Sequence, residues 1–150
     1  TFDDRRWLAM PSYTTDPGLE DEAARAVSRW GAVSGFRAVP GGTEIEVRLE
    51  MPPNPDAGGA AQLTFGNSDD ITHCKIFVNP VRWAANYPND RSQILSHEMG
   101  HCLGLNHSDV ADSLMGANTT WSADDVAGAR YLYGPSPNRV IVAGLVTEGE

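Results

Sequence analysis

The residues best suited to chemistry lie in one run, His97-Glu98-Met99-Gly100-His101-Cys102-Leu103-Gly104-Leu105-Asn106-His107. Histidines four positions apart share one face of a helix, so His97 and His101 can offer two ring nitrogens to a single ion. Two ligands alone would hold a metal loosely. Gly104, three residues after His101, can adopt positive φ, end the helix and turn the chain back so that His107 becomes a third ligand. Three neutral imidazoles on a tetrahedral zinc leave one position for water, whose pKa then falls to about 7. Glu98, beside the first ligand, is placed to hold that water and take its proton as general base. The pattern therefore predicts metal-assisted hydrolysis.

Such a site needs a helix beneath it and a sheet beside it. Asn89 or Asp90 can cap a helix that runs through Ile94 and Leu95 to about Leu103. Upstream, Trp7 to Tyr13 reads as a first strand and Asp16-Pro17-Gly18 as the lead into a long amphipathic helix. That helix carries Glu20, Asp21 and Glu22 in its first turn, an apolar stripe of Ala23, Val27, Trp30 and Val33, and an end near Gly35. Phe36 to Val39 is a brief strand, and Glu44 to Leu49 alternates polar with apolar as a half-buried strand does. After a Pro- and Gly-rich loop come strands at Ala61 to Phe65 and His73 to Val78, joined by the turn-rich Gly66-Asn67-Ser68-Asp69-Asp70. Pro80 to Pro88 reads as a loop with Trp83 and Tyr87, and Asn106 to Thr120 as irregular. Ser122 with Asp125 opens a last helix whose stripe is Val126, Ala129, Leu132 and Tyr133. Pro135 and Pro137 end it, and Arg139 to Val146 is strand-like with no functional reading.

The run HEMGHCLGLNH resembles the extended zinc motif of the metzincin metallopeptidases, and Met115 in Ser113-Leu114-Met115-Gly116 resembles their Met-turn. Ser108 after the third histidine is similar to the matrixin branch, as are Ser122 to Gly128 and Tyr131-Leu132-Tyr133-Gly134; roughly residues 5 to 134 can be laid on that fold. The resemblance implies an α+β fold: a twisted mixed five-stranded sheet, two helices packed on it, and a small C-terminal subdomain with the Met-turn and a final helix. It implies a catalytic domain over residues 1–137, leaving 138–150 as a tail. It further implies a zinc endopeptidase whose substrate lies extended along the edge strand Ala61 to Phe65, with Met115 beneath the metal and not bound to it.

Length, charge and cysteine usage bound the rest. At 150 residues and 41% hydrophobic content the chain builds one core, and no apolar run approaches a membrane span. A net charge of −9 argues against a nucleic-acid partner. Thr1 opens no signal peptide or basic targeting segment, which is the expectation for a mature or trimmed secreted form; a monomer is expected. Cys74 and Cys102 can form one disulfide, Cys74 on a strand face that the helix bearing Cys102 should cover; the alternative is two small buried hydrophobes. Oxygens of the Gly66–Asp70 connection could hold calcium, an ion the resemblance also implies, or form an ordinary hydrated turn. His73 stands outside the motif, and with only four histidines one zinc is expected.

Gly116 to Trp121 departs from vertebrate matrixins, which place a proline and then a tyrosine after the Met-turn. Ala117 stands where some other metzincins carry a metal-reaching tyrosine, so no fifth ligand is expected. The short loop predicts an apolar pocket for residues such as Leu just after the cleaved bond, with Trp121 either walling it or serving as core. The leading expectation is a secreted zinc endopeptidase; the alternative is a zinc-binding, catalytically weak interaction module, which chelator-sensitive hydrolysis of casein would rule out.

Overall fold

The computed structural model describes residues 5–85, 88–116, 120–136, 140–142 and 145–147. Strands β1 (Ser12–Thr15), β2 (Val39–Pro40), β3 (Ile45–Leu49), β4 (Gly59–Phe65) and β5 (Ile71–Val78) form one mixed sheet in the order β2-β1-β3-β5-β4. The β1, β2, β3 and β5 pairings are parallel, and β4 runs antiparallel to β5 along the edge. Alternation builds the inner face: Ile45 and Val47 of β3 and Cys74, Ile76 and Val78 of β5 are fully buried, while Glu46, Arg48 and Lys75 point to the other side.

Helix α1 (Glu20–Val33) starts with three acidic residues that suit its positive end, and buries Ala23, Ala26, Trp30 and Val33. It packs on α3 (Pro88–Leu103), which lies over β4 and β5 and buries Leu95, Met99, Cys102 and Leu103. Each such large apolar side chain contributes roughly 1.5–3 kcal/mol by leaving water. Cys74 of β5 and Cys102 of α3 are joined by a disulfide, which ties sheet to helix one residue beyond His101. Helix α4 (Ala123–Tyr133) closes the C-terminal part and touches α1. The segment before β1 crosses the molecule: Trp7 Nε1 donates to Cys102 O at 2.7 Å, Arg6 to Leu132 O at 3.0 Å, and Tyr133 Oη receives Trp7 N at 3.1 Å.

Several sequence expectations need correction. Pro80 to Pro88 is not all loop, because α2 (Pro80–Ala85) occupies its first part; Asn79 Oδ1 accepts from Val81 N and Arg82 N and so starts the helix. Tyr87 of that segment lies outside the described residues. Trp7 to Tyr13 is not a strand; Trp7 is buried as a docked side chain and pairing starts only at Ser12. Phe36 is core rather than strand, and β2 is confined to Val39–Pro40. Helix α3 begins at Pro88, a position whose missing N–H costs nothing. The expected strand over Arg139 to Val146 is instead a two-stranded antiparallel sheet, β6 (Val140–Val142) and β7 (Leu145–Thr147), separate from the main sheet.

Candidate metal centre and cleft

Helix α3 presents His97 and His101 one turn apart, and the chain then reverses. Gly104 N donates to His101 O and Leu105 N to Gly100 O, with Gly104 at φ 113°. A side chain at residue 104 would be strained by that φ and would run into the Arg5 carbonyl, so glycine is required. The reversal brings His107 back: the three rings can each offer an atom such that all lie within 4.8 Å of one another.

The ring orientations are set from behind. His97 Nδ1 lies 2.6 Å from Leu114 O and His101 Nδ1 2.8 Å from Leu105 O. A carbonyl only accepts, so both Nδ1 atoms carry the proton and both Nε2 lone pairs are left for a metal. Burial lowers the His97 pKa and pulls that of His101 down to about 4, so both rings are neutral at physiological pH, as ligation requires. A converging set of neutral imidazoles held by backbone carbonyls fits zinc.

The Met-turn lies below. Met115 is 2% exposed, and a methyl group at Gly100 would meet its sulfur at 2.5 Å and Trp30 Cζ2 at 2.8 Å; glycine there lets the turn press against α3. Ser108 N donates to Met115 O at 2.8 Å, tying the third-histidine loop to the turn. Ala117 lies outside the described residues. Trp121 is partly buried against the core, edge-on to Trp30 at 4.7 Å with Arg29 over its ring.

Glu98 is 7% exposed, and burial raises its pKa to about 7. It lies with the three histidines on the floor of a cleft of about 830 Å³, walled by Ala57 to Ala61 and Leu63 on one side and by Gln93 and Ile94 on the other. Arg82 also lines it, a contribution of α2 that the sequence reading does not include. The sequence predicts Glu98 beside the metal but not Gly59 in the same cleft lining; no local signal marks that glycine as a cleft residue.

The remaining predicted positions fall elsewhere. His73 Nε2 pairs with Glu46 Oε2 at 2.7 Å on the outer face of the sheet. The Gly66–Asp70 turn closes on itself through Gly66 N to Asp70 O at 2.8 Å. Among the described residues, the one group of three or more histidine, cysteine or acidic side chains able to share an ion is the histidine triad.

The profile described as Matrixin matches residues 50–134. The chain is 30% identical over 145 residues to the hatching enzyme of Paracentrotus lividus, covering 84% of this chain and 24% of that protein. It is 32% identical over 157 residues to the interstitial collagenase of Sus scrofa, covering 92% and 34%. To Metalloendoproteinase 2-MMP of Arabidopsis thaliana it is 43% identical over 56 residues, covering 33% and 15%. The chain thus spans about a quarter of the first relative's length and about a third of the second's. With a profile match over more than half its length, a metal-competent histidine triad and the mixed five-stranded sheet, this chain belongs to the matrixin family of zinc-dependent metzincins.

Proposed function

We propose that the chain is the catalytic part of a secreted zinc endopeptidase that cuts extended protein or peptide substrates. The observation that carries the reading is the placement of a buried carboxylate, Glu98, with the triad on the floor of a cleft bordered by an edge strand. His97, His101 and His107 would hold the zinc. When bound, zinc supplies Lewis acidity toward the scissile carbonyl and the attacking water. Glu98 takes the water's proton and returns it to the departing amine. β4 is the terminal strand and Gly59 to Ala61 line the cleft, so an extended peptide can pair with it as an added strand and be held in line with Glu98.

The Cys74–Cys102 disulfide supports an oxidising, extracellular destination. No helix among the described residues is long and apolar enough to cross a membrane. The test is casein hydrolysis with and without a chelator and with Glu98→Gln. Chelator-sensitive cleavage that the substitution abolishes is the expected result. A zinc-loaded but inert wild-type chain would overturn the reading and leave a binding module.

A further inference from the structure

Asp125 of α4 stands one peptide group away from a metal ligand. It is 2% exposed; its Oδ2 accepts from Leu114 N at 2.8 Å, Ser122 N at 2.9 Å and Ser122 Oγ at 3.1 Å, and its Oδ1 from Met115 N at 3.0 Å. The two bonds to Ser122 make a helix cap. The two to Leu114 and Met115 leave the helix and grip the turn under the histidines. The peptide group whose N–H belongs to Met115 has the Leu114 carbonyl at its other end, and that carbonyl receives the His97 Nδ1 proton at 2.6 Å. N–H and C=O of one peptide are conjugated. A carboxylate on the N–H side therefore pushes electron density onto the carbonyl oxygen and strengthens it as an acceptor. A stronger acceptor at Nδ1 fixes the ring and makes its Nε2 a better donor, as carboxylates placed directly behind metal-bound histidines do.

We infer that Asp125 is a positioning residue for the metal centre, acting on His97 through the Leu114–Met115 peptide. The inference rests on the zinc reading above, but its readout is metal affinity and not turnover, so a chain that binds zinc without cutting peptides still tests it.

The experiment compares wild type, Asp125→Asn and Ser122→Ala. Asparagine removes the charge and can accept from only one side of the pair. Zinc affinity, measured by competition with a chromogenic chelator, is expected to fall about ten- to a hundredfold in Asp125→Asn. Ser122→Ala, which loses only a cap hydroxyl, should lower the melting temperature yet hold zinc within about twofold. The His97 Nδ1–H proton resonance should move upfield in Asp125→Asn while that of His101 stays in place. An Asp125→Asn affinity within about twofold of wild type, or a loss matched by Ser122→Ala, would overturn the inference. Should Asp125→Asn fail to fold, the wild-type chain decides: scalar couplings across both hydrogen bonds, from Met115 N–H to the Asp125 carboxylate and from His97 Nδ1–H to the Leu114 carbonyl, with a downfield shift of the His97 proton relative to that of His101, support the relay, and absence of the Met115–Asp125 coupling refutes it.

Discussion

Gly59 leaves open the space beside Glu98: a methyl group on Gly59 would stand 3.0 Å from Phe77 O, 3.1 Å from Glu98 Cγ and 3.3 Å from Glu98 Oε2. The edge strand and the Glu98 side chain thus leave too little room for a side chain at residue 59 without one of its neighbours giving way. Gly59→Ala should shift the carboxylate by a few tenths of an ångström and lower kcat about tenfold, because positioning errors act steeply on proton transfer. Zinc content should be unchanged. Wild-type kcat in a folded, zinc-loaded Gly59→Ala protein would show that the space at residue 59 does not position Glu98.

Glu98→Gln keeps the volume and removes the proton carrier. Peptidase activity should fall by a factor of about 10² or more while one zinc per chain is retained. Activity within tenfold of wild type would remove Glu98 from the base role.

His107 is the exposed member of the triad and comes from the loop, so it has the least support from its surroundings. His107→Ala leaves two ligands and should weaken zinc binding by several orders of magnitude together with activity. Metal titration by calorimetry checks this, and an unchanged dissociation constant would exclude His107 as a ligand.

The disulfide closes a separation of 28 residues. Loop-closure entropy for that length is worth about 3–4 kcal/mol, so the double variant Cys74→Ser, Cys102→Ser should unfold at markedly lower urea. A loss below about 1 kcal/mol would mean that packing at these two buried positions holds the helix to the sheet without the bond.

Glu46 sits on the outer sheet face between Arg48 and His73, and the hydrogen bonds from Arg48 and then His73 hold its pKa below the ordinary value. A carboxylate whose folded pKa is depressed stabilises the fold above its unfolded pKa and loses that contribution as pH falls through the folded one. Glu46→Gln should therefore cost roughly 0.5–1 kcal/mol at pH 7, discounted for its partial exposure, and close to nothing at pH 3. Urea midpoints at the two pH values measure the difference, and an equal gap at both would disprove the charge effect.

Those parts of the site that depend on local spacing are legible in the amino-acid order itself. The i, i+4 histidines and the glycine that reverses the chain require only helix geometry. The alternation at Ile45 and Val47 and at Cys74, Ile76 and Val78 reports a buried sheet face directly. Helix α2 carries a signal that its prolines and short length obscure, since Asn79-Pro80 is a capping residue followed by a proline at the first helical position. Trp7 misleads because its burial comes from docking on Cys102, 95 residues away, and not from strand alternation. Asp125 is legible as half of a capping box, but its grip on Leu114 and Met115 depends on how a loop folds against a helix, which no sequence period encodes.

The bonds from Arg6 and Trp7 to the far end of the chain also set an order of events during synthesis. Trp7 and its partner Tyr133 are separated by 126 residues, so at about 5–20 residues per second the first waits on the order of 6–25 s for the second to emerge from the ribosome. Through that interval the Trp7 amide lacks its Tyr133 hydroxyl, although the acceptor of its indole, Cys102 O, is made 31 residues earlier. A nascent or truncated fragment that stops before α4 already carries His97, Glu98, His101 and His107, yet lacks the carboxylate that grips the turn beneath them. Burial of the segment before β1 therefore waits for α4.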